Sequence, residues 1–296
     1  MELFKDSNID FLKYRRSTFA VSVILIILGV YFIFFGNGPN WGIDFTGGSL
    51  VQLGFSQPVT SSEIRDALSK HGMGSSLFQT FSRSNEVIIR VQEEKEDPIK
   101  ISNELVRIFS EEMPDQEIEV SRNEMVGPLV GEYLKKQAIL AFSLAFLGII
   151  LYVGWRFKGG IWGLAGVIAL IHDVFITFSV LVLMGKEITL IVVVALLLLA
   201  GYSINDTIVI YDRIRENMRI FYKKPLYETF NLSINGTLSR TVITSSTTLF
   251  VVLSLFFFGG EVIHDFSFAL IIGIIIGTYS SVFIASPIVF QWKKGK

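Results

Sequence analysis

The sequence predicts an α-helical membrane protein with six transmembrane helices and one folded α+β domain between the first two helices. Hydrophobic residues make up 51% of the 296 residues, and the mean hydropathy is +0.53. These values are typical of a chain whose main solvent is lipid. Six largely apolar stretches are long enough to cross the roughly 30 Å hydrocarbon core of a bilayer. Between the first two, the pattern changes to the shorter periodicities of a soluble domain.

The apolar stretches divide the chain into membrane and non-membrane segments. The transmembrane helices are predicted at residues 17–36, 137–155, 161–185, 188–211, 239–260 and 265–291. The remaining segments are an N-terminal segment at residues 1–16, the α+β domain at residues 37–136, a loop at residues 212–238 and a tail at residues 292–296. No A-x-A-type cleavage site follows the first stretch, so we interpret it as an uncleaved signal anchor.

Basic residues predict the orientation in the membrane. They flank the first stretch on its N-terminal side, join helices two and three, join helices four and five, and end the chain. The positive-inside rule then places both termini in the cytoplasm and residues 37–136 outside it. Lys135 and Lys136 oppose this orientation, but residues that end a long translocated domain have little influence.

The segment outside the membrane alternates between strand and helix patterns. In chain order it predicts a strand at 48–55, a helix at 61–70, strands at 75–81 and 86–92, a helix at 98–112 and a strand at 116–124. This β-α-β-β-α-β order is that of a ferredoxin-like domain. Ser61 or Ser62 is expected to cap the first helix, which Gly72 ends.

Several kinds of chemistry are excluded by what the sequence lacks. There are no cysteines, and three histidines (His71, His172 and His264) are too scattered for an obvious metal site. The nucleotide-binding and hydrolase motifs GxxxxGK[ST], HExxH and GxSxG do not occur. The net charge of −1 gives no sign of a nucleic-acid partner. We therefore expect no enzymatic activity and no cofactor or metal.

Ionisable residues inside the apolar stretches are the strongest functional signal, because a carboxylate at membrane depth is costly unless it is paired, hydrated or protonated. Asp206 follows a wholly apolar run and adjoins Asn205. Arg240 begins the fifth helix, in a Ser- and Thr-rich segment that includes Thr244. Since helices four and five are predicted to be antiparallel neighbours, Asp206 and Arg240 are expected to approach each other. Such a pair can relay protons, because separating the charges favours the protonated acid.

Simpler interpretations of these residues stay open. Asp206 and Arg240 also fit a static ion pair between two helices, and Arg240 alone fits a positive-inside boundary. His172 and Asp173 lie in the middle of the third helix, where hydrogen-bonded packing and proton handling are equally consistent with the pattern. Gly273 and Gly277 predict a small-residue face on the sixth helix for close helix packing.

Four segments carry a resemblance to a known family. They are the motif GIDFTGG at residues 42–48, Val-Gly-Pro at 126–128 with a following glycine, residues 201–217 and the Ser/Thr ladder at 239–248. In order and spacing they resemble the SecF members of the SecD/SecF family, over nearly the whole chain. In the first segment, Gly42, Asp44, Gly47 and Gly48 are interpreted as a conformational Gly-rich turn that couples the first helix to the outer domain.

The resemblance implies an architecture and a function. It implies membership of the resistance-nodulation-division (RND) superfamily and a place in the bacterial inner membrane. It implies a heteromeric complex with SecD and contact with the SecYEG channel, with YajC, YidC and the translocating preprotein as further partners. The implied activity is proton-driven assistance to the late, ATP-independent stage of protein export. Asp206 and Arg240 match the family positions implicated in proton conduction.

Three competing functions remain at this point. An RND-type small-molecule or lipid exporter subunit shares the architecture, since a fold does not fix its cargo. A scaffolding membrane protein would use Asp206 and Arg240 for assembly alone. An intramembrane enzyme would require Asp173 and Asp206 to face each other across a substrate.

Overall fold

The computed structural model describes residues 7–36, 38–74, 76–81, 85–91 and 98–295. The chain forms two compact units, Trp41–Ala138 and the combination of Met1–Asn40 with Ile139–Lys296. The helices with eight or more residues are α1 (Arg15–Phe34), α2 (Ser61–Lys70), α3 (Pro98–Glu112), α4 (Pro128–Phe157), α5 (Gly160–Leu183), α6 (Leu190–Ile220), α7 (Leu226–Phe258) and α8, which runs through Glu261–Ser280, a π-helical turn at Ser281–Ala285 and Ser286–Lys294. The strands of the α+β unit are β1 (Gly48–Phe55), β2 (Leu77–Phe81), β3 (Glu86–Val91) and β4 (Ile118–Val126).

Six helices of the described chain are long and apolar enough to cross a membrane, which confirms the predicted number. They are α1 with its preceding 3₁₀ turn, α4, α5, α6, α7 and α8. In α5, α6 and α8, 61%, 56% and 56% of the most apolar stretch is buried, compared with 11% in α1, 6% in α4 and 17% in α7. Helices α5, α6 and α8 therefore form the interior of the membrane unit.

One end of this unit is closed by aromatic packing. Trp162 of α5 lies edge-on to Tyr211 of α6, with the two rings 4.9 Å apart, and Phe157 of α4 packs against both. Phe230 of α7 makes a similar edge contact with Phe290 of α8. Large aromatic side chains in such geometries stabilise helix contacts beyond their buried area. The cluster fixes the helix ends next to the polar interior.

The α+β unit has the predicted ferredoxin-like topology. Its four strands form one antiparallel sheet in the order β2-β3-β1-β4. The residues that form the core of this unit alternate along β1 and β3, as in Leu53 and Ile89, and meet the apolar faces of α2 and α3 through Ile64, Leu105 and Phe109. This arrangement confirms the α+β class for the segment between the first two membrane helices.

The cap of α2 differs from the expected one. Thr60, rather than Ser61 or Ser62, accepts a hydrogen bond from Glu63 N, and the Glu63 carboxylate accepts one from Thr60 N at 2.7 Å. These reciprocal bonds form a capping box, which satisfies two backbone donors at once. Glu63 lies three residues after Thr60, so only Thr60 can form this box.

Candidate functional site: two buried carboxylates among the membrane helices

Asp173 on α5 is fully buried and accepts hydrogen bonds from two other helices. Its Oδ2 atom accepts from Ser203 Oγ of α6 at 2.5 Å and from Ser280 Oγ of α8 at 2.7 Å. Its Oδ1 atom lies 2.9 Å from Nδ1 of the neighbouring His172. A buried carboxylate is tolerated when its lone pairs are satisfied in this way. Asp173 therefore joins the three interior helices at one point.

His172 extends this network to a fourth helix. Its Nε2 atom lies 3.0 Å from Ser22 Oγ on α1, and Ser22 lies 3.2 Å from the hydroxyl of Tyr279 on α8. The Tyr279 hydroxyl donates to the carbonyl of Thr18 at 2.8 Å. Ser22 and Gly29 are the two buried residues of α1. Much of the polar attachment of α1 to the bundle therefore passes through His172 and Tyr279.

Asp206 on α6 has a different environment. It is 4% exposed, yet the described residues give its carboxylate a single hydrogen bond, from Ser245 Oγ of α7 at 3.4 Å. Ser245 is itself 2.8 Å from Thr278 Oγ1 of α8. Because this one contact is long, Asp206 is buried with much less hydrogen-bonding support than Asp173.

The expected partner of Asp206 does not contact it directly. Arg240 acts on the Asp206 carboxylate electrostatically, but no ion pair within 4 Å joins these two described residues. Arg240 is exposed, and it precedes Ser245 by five residues, or about 7 Å of helix rise. Five residues also rotate the side-chain direction by roughly 140° around α7, so Ser245 and Arg240 leave the helix in different directions. The predicted neighbourhood is present, whereas an ion pair is not.

The two supporting residues lie at the edge of this region. Asn205 is exposed on the surface of α6, next to the buried Asp206 in sequence. Thr244 is half-buried on α7, and its backbone carbonyl accepts from Thr247 and Thr248. Neither residue hydrogen-bonds to Asp206 within the described chain. Two sequence-predicted groups, Asp173 with His172 and Asp206 with Arg240, therefore occupy separate positions in the bundle.

Small residues on α8 make the close approach of α6 possible. A Cβ atom at Gly273 would lie 2.5 Å from Leu199 Cδ2, and one at Gly277 would lie 3.1 Å from Ser203 Cβ. The absence of these side chains brings α8 near enough for Ser280 and Ser203 to reach the same carboxylate oxygen. The small-residue face that the sequence predicts is thus confirmed as a packing surface.

The GIDFTGG segment forms a compact turn within the α+β unit. Gly42 begins a one-turn helix, Ile43–Thr46, and Gly47 ends it with φ of 72°, a conformation that favours glycine. A Cβ atom at Gly47 would lie 3.2 Å from Pro128 Cα, and one at Gly131 would lie 3.2 Å from Gly47 N. The segment therefore packs backbone to backbone against the first turn of α4.

The two other predicted residues of this segment, Gly48 and Asp44, play different parts. Gly48 follows with φ of 111° and begins β1, so two successive glycines make the reversal into the sheet. Asp44 is half-buried in the first turn of the short helix, where a carboxylate is favoured by the helix dipole. The arrangement agrees with a conformational role.

Several residues of the network escape prediction from the sequence. They are hydroxyl residues whose importance depends on packing: Ser22, Ser203, Ser245, Thr278, Tyr279 and Ser280. A serine in an apolar helix is common, and nothing in its own neighbourhood distinguishes a ligand of a carboxylate from an ordinary one. The available signals were the small-residue face around Gly277 and the Ser/Thr ladder at 239–248, which contains Ser245 without distinguishing it from its neighbours. In the described residues, no group of three His, Asp or Glu side chains is arranged to hold a metal ion.

Comparison with known proteins identifies the family. Residues 32–59 match the family described as "SecD/SecF GG Motif", and residues 108–295 match "Protein export membrane protein SecD/SecF, C-terminal". The chain is 42% identical to the protein translocase subunit SecF of Endomicrobium trichonymphae over 99% of this chain and 94% of that protein. It is 40% identical to the SecF subunit of Escherichia coli O157:H7 over 95% and 87% of the two chains.

A solved structure supports the same assignment. The crystal structure of SecDF, a translocon-associated membrane protein from Thermus thermophilus, matches with a TM-score of 0.89 and 36% identity. The match covers 99% of this chain and 40% of the SecDF chain. A second SecDF structure, in the "Super-membrane-facing form", matches with a TM-score of 0.72 and 37% identity. The chain belongs to the SecF members of the SecD/SecF family of protein export membrane proteins.

Proposed function

We propose that this chain works with a SecD partner at the SecYEG channel, and that it uses the proton motive force to assist the late, ATP-independent stage of preprotein export. The observation that carries this proposal is Asp206. A carboxylate 4% exposed in an apolar helix, with one long hydrogen bond, has few contacts that hold it in the charged form. Such a group can change protonation at little structural cost, as a relay requires.

Arg240 completes the proposed relay. It acts on Asp206 through space without contacting it, so a modest movement of α7 against α6 changes the strength of this interaction. We propose that protonation of Asp206 weakens its attraction to Arg240, shifts the two helices and moves the outer domain. A membrane potential of 100 mV supplies about 2.3 kcal/mol for each proton that crosses.

The surface around Arg240 supports the SecD partner. Arg240, Asn205 and Thr247 are all exposed on α6 and α7 although they lie in the membrane-spanning unit. An arginine and an amide on a membrane-facing surface are costly in lipid unless a partner or a water-filled cavity receives them. The SecDF chain, of which this chain spans 40%, includes further sequence that is consistent with such a partner.

We also propose a membrane location and further partners for the chain. The chain is placed in the bacterial inner membrane with both termini in the cytoplasm, and YajC and YidC are candidate members of the same assembly. The preprotein is the transported partner, and no nucleic acid is involved. We propose no enzymatic activity and no cofactor, because the proton gradient supplies the energy.

Asp206→Asn tests the relay, because the side chain keeps its size and loses its titration. Asp212→Asn is the matched control: Asp212 lies on the same helix, but its side chain is 43% exposed and pairs with Arg156 at 3.0 Å. Proton flux and preprotein export are measured in vesicles that contain the full complex. We expect Asp206→Asn to abolish both activities and Asp212→Asn to retain them. Full export and flux in a stably assembled Asp206→Asn complex would refute the relay.

A further inference from the structure

A cavity of about 890 Å³ opens at one end of the membrane unit. It lies between the N-terminal end of α1, the N-terminal end of α5 and the C-terminal end of α8. These three helix ends lie on the same side of the membrane, because an even number of spans separates them. A cavity of this volume is within the range of small-molecule sites.

Among the described residues that line the cavity, three are cations and none is acidic. They are Arg15, Arg16 and Lys294. Among the described residues, no carboxylate lies within 4 Å of any of the three. Arg15 is half-buried, and its guanidinium is held by a 2.7 Å bond to the Leu12 carbonyl. The described lining residues therefore give the cavity a positive charge, part of which Arg15 holds in a fixed position.

The rest of the wall is apolar and aromatic. Phe19, Pro287, Ile288 and Trp292 are among the lining residues, and Trp292 is 51% exposed. Tryptophan is favoured at the level of lipid headgroups, where its ring contacts both acyl chains and polar groups. A free anion in water would gain nothing from this wall. A molecule with an anionic head and an apolar body would use both parts of the cavity.

We propose that this cavity is a binding site for an anionic phospholipid of the surrounding leaflet. The phosphate group lies against Arg15, Arg16 and Lys294, since guanidinium groups bind phosphate oxygens through paired hydrogen bonds. The glycerol and upper acyl chains lie along Phe19, Ile288 and Trp292. The lipid thereby connects α1 to α8 at the membrane surface.

Native mass spectrometry of the full chain in mild detergent tests the proposal. Phosphatidylglycerol and phosphatidylcholine are added separately at equal concentration, and retained lipid is counted. The test variant is Arg16→Gln with Lys294→Gln, because both side chains are exposed and their loss leaves the packing of Arg15 intact. The control variant is Lys223→Gln with Lys224→Gln, which removes the same charge between α6 and α7 but outside the cavity.

We expect the unmodified chain and the control to retain phosphatidylglycerol in preference to phosphatidylcholine. The test variant should retain it about 25-fold less, since each of the two removed cations contributes roughly fivefold in binding near an anionic surface. Excess inorganic phosphate should not displace the lipid. Equal retention by the test variant, equal retention of phosphatidylcholine, or displacement by phosphate would each overturn the proposal, the last by showing a site for soluble anions. A Trp292→Ala variant with undiminished retention would likewise contradict the role of the apolar wall.

Discussion

His172 Nε2 lies 3.0 Å from Ser22 Oγ, which links the first membrane helix to the buried Asp173 through a single imidazole ring. The second buried residue of α1, Gly29, packs against α5 about two turns further along. Two small residues thus hold a helix whose remaining side chains largely face outward.

The contact at Gly29 leaves no space for a side chain. A Cβ atom there would lie 2.3 Å from Ser179 Oγ and 2.8 Å from Ser179 Cβ. We expect Gly29→Ala to lower the free energy of unfolding by about 1–3 kcal/mol, because the overlap separates α1 from α5. Thermal unfolding in detergent measures the loss. Adding Ser179→Gly should recover part of it.

Gly148→Ala is the control for this prediction. Gly148 lies inside α4, and no atom would lie within 4 Å of a Cβ atom placed there. Because alanine is a better helix former than glycine, this variant should be neutral or more stable by up to about 1 kcal/mol. Equal losses in both variants would show that α1 is not held at Gly29.

The two carboxylates should differ in their contribution to stability. Asp173→Ala removes the acceptor of Ser203 and one of the partners of Ser280 and of His172, at a cost of about 1–3 kcal/mol for each group left unsatisfied in the interior. Asp206→Ala removes the acceptor of one long bond. We therefore expect Asp173→Ala to unfold at a clearly lower temperature than Asp206→Ala. The reverse order in the same detergent would mean that the Asp173 network contributes little.

The capping box of α2 can be tested inside the intact chain. Thr60→Ala removes the acceptor of Glu63 N and should destabilise the first turn by about 1 kcal/mol. Hydrogen exchange of the amides in Ser61–Lys70 should quicken accordingly. Ser62→Ala is the control, since Ser62 is exposed and does not cap the helix. Faster exchange in the Ser62 variant alone would instead show that Ser62, one of the two residues expected from the sequence, caps α2.

The contact between α2 and α3 predicts a pH dependence. Lys70 Nζ lies 2.5 Å from the Glu112 carboxylate, and this hydrogen bond holds the pKa of Glu112 below its ordinary value of 4.5. The same bond raises the pKa of Lys70 above 10.5. The stabilisation is therefore complete between pH 4.5 and 10.5; it is lost as pH falls through the lowered pKa of Glu112 or rises through the raised pKa of Lys70.

Carboxyl chemical shifts followed by NMR during an acid titration measure this effect. We expect the Glu112 midpoint below 4.5 and a return toward it in Lys70→Met. Lys70 is 62% exposed, so the effect on stability should be small and should weaken with added salt. Lys100→Met, a cation of α3 outside this contact, is the control. A Glu112 midpoint that Lys70→Met leaves unchanged would rule out the ion pair as its cause.

Local signals predicted the α+β unit well. The bounds of β1, α2 and α3 follow from alternating apolar residues, a capping segment and an amphipathic repeat, all of which lie within each element. The start of α4 at Pro128 was placed later, at residue 137, because hydropathy detects contact with lipid rather than helix. Glu132, Lys135 and Lys136 are polar yet helical, so the helix extends beyond its apolar part.

The polar interior was predictable only in part. Carboxylates such as Asp173 and Asp206 stand out in an apolar helix. Their burial is expected, because a charged side chain that faces lipid has a high free-energy cost. Their partners come from three other helices, and the choice among many serines depends on which helix face meets which. The neighbourhood of Asp206 and Arg240 was predictable. The lack of a direct ion pair between them was not, because it depends on the angle between Arg240 and Ser245 around α7, which the sequence spacing between helices does not reveal.

Thr278 and Ser280 stand two positions apart on α8, and each belongs to the surroundings of a different acid. Ser280 donates to Asp173, whereas Thr278 pairs with Ser245, which donates to Asp206. Displacing this short stretch therefore alters both acids together. Substitutions at Asp173 and Asp206 should show epistasis, with a coupling energy of about 0.5–3 kcal/mol in a double-mutant cycle. Asp173 and Asp206 look separate in the sequence, yet the hydrogen-bond partners of both depend on the same short stretch of α8.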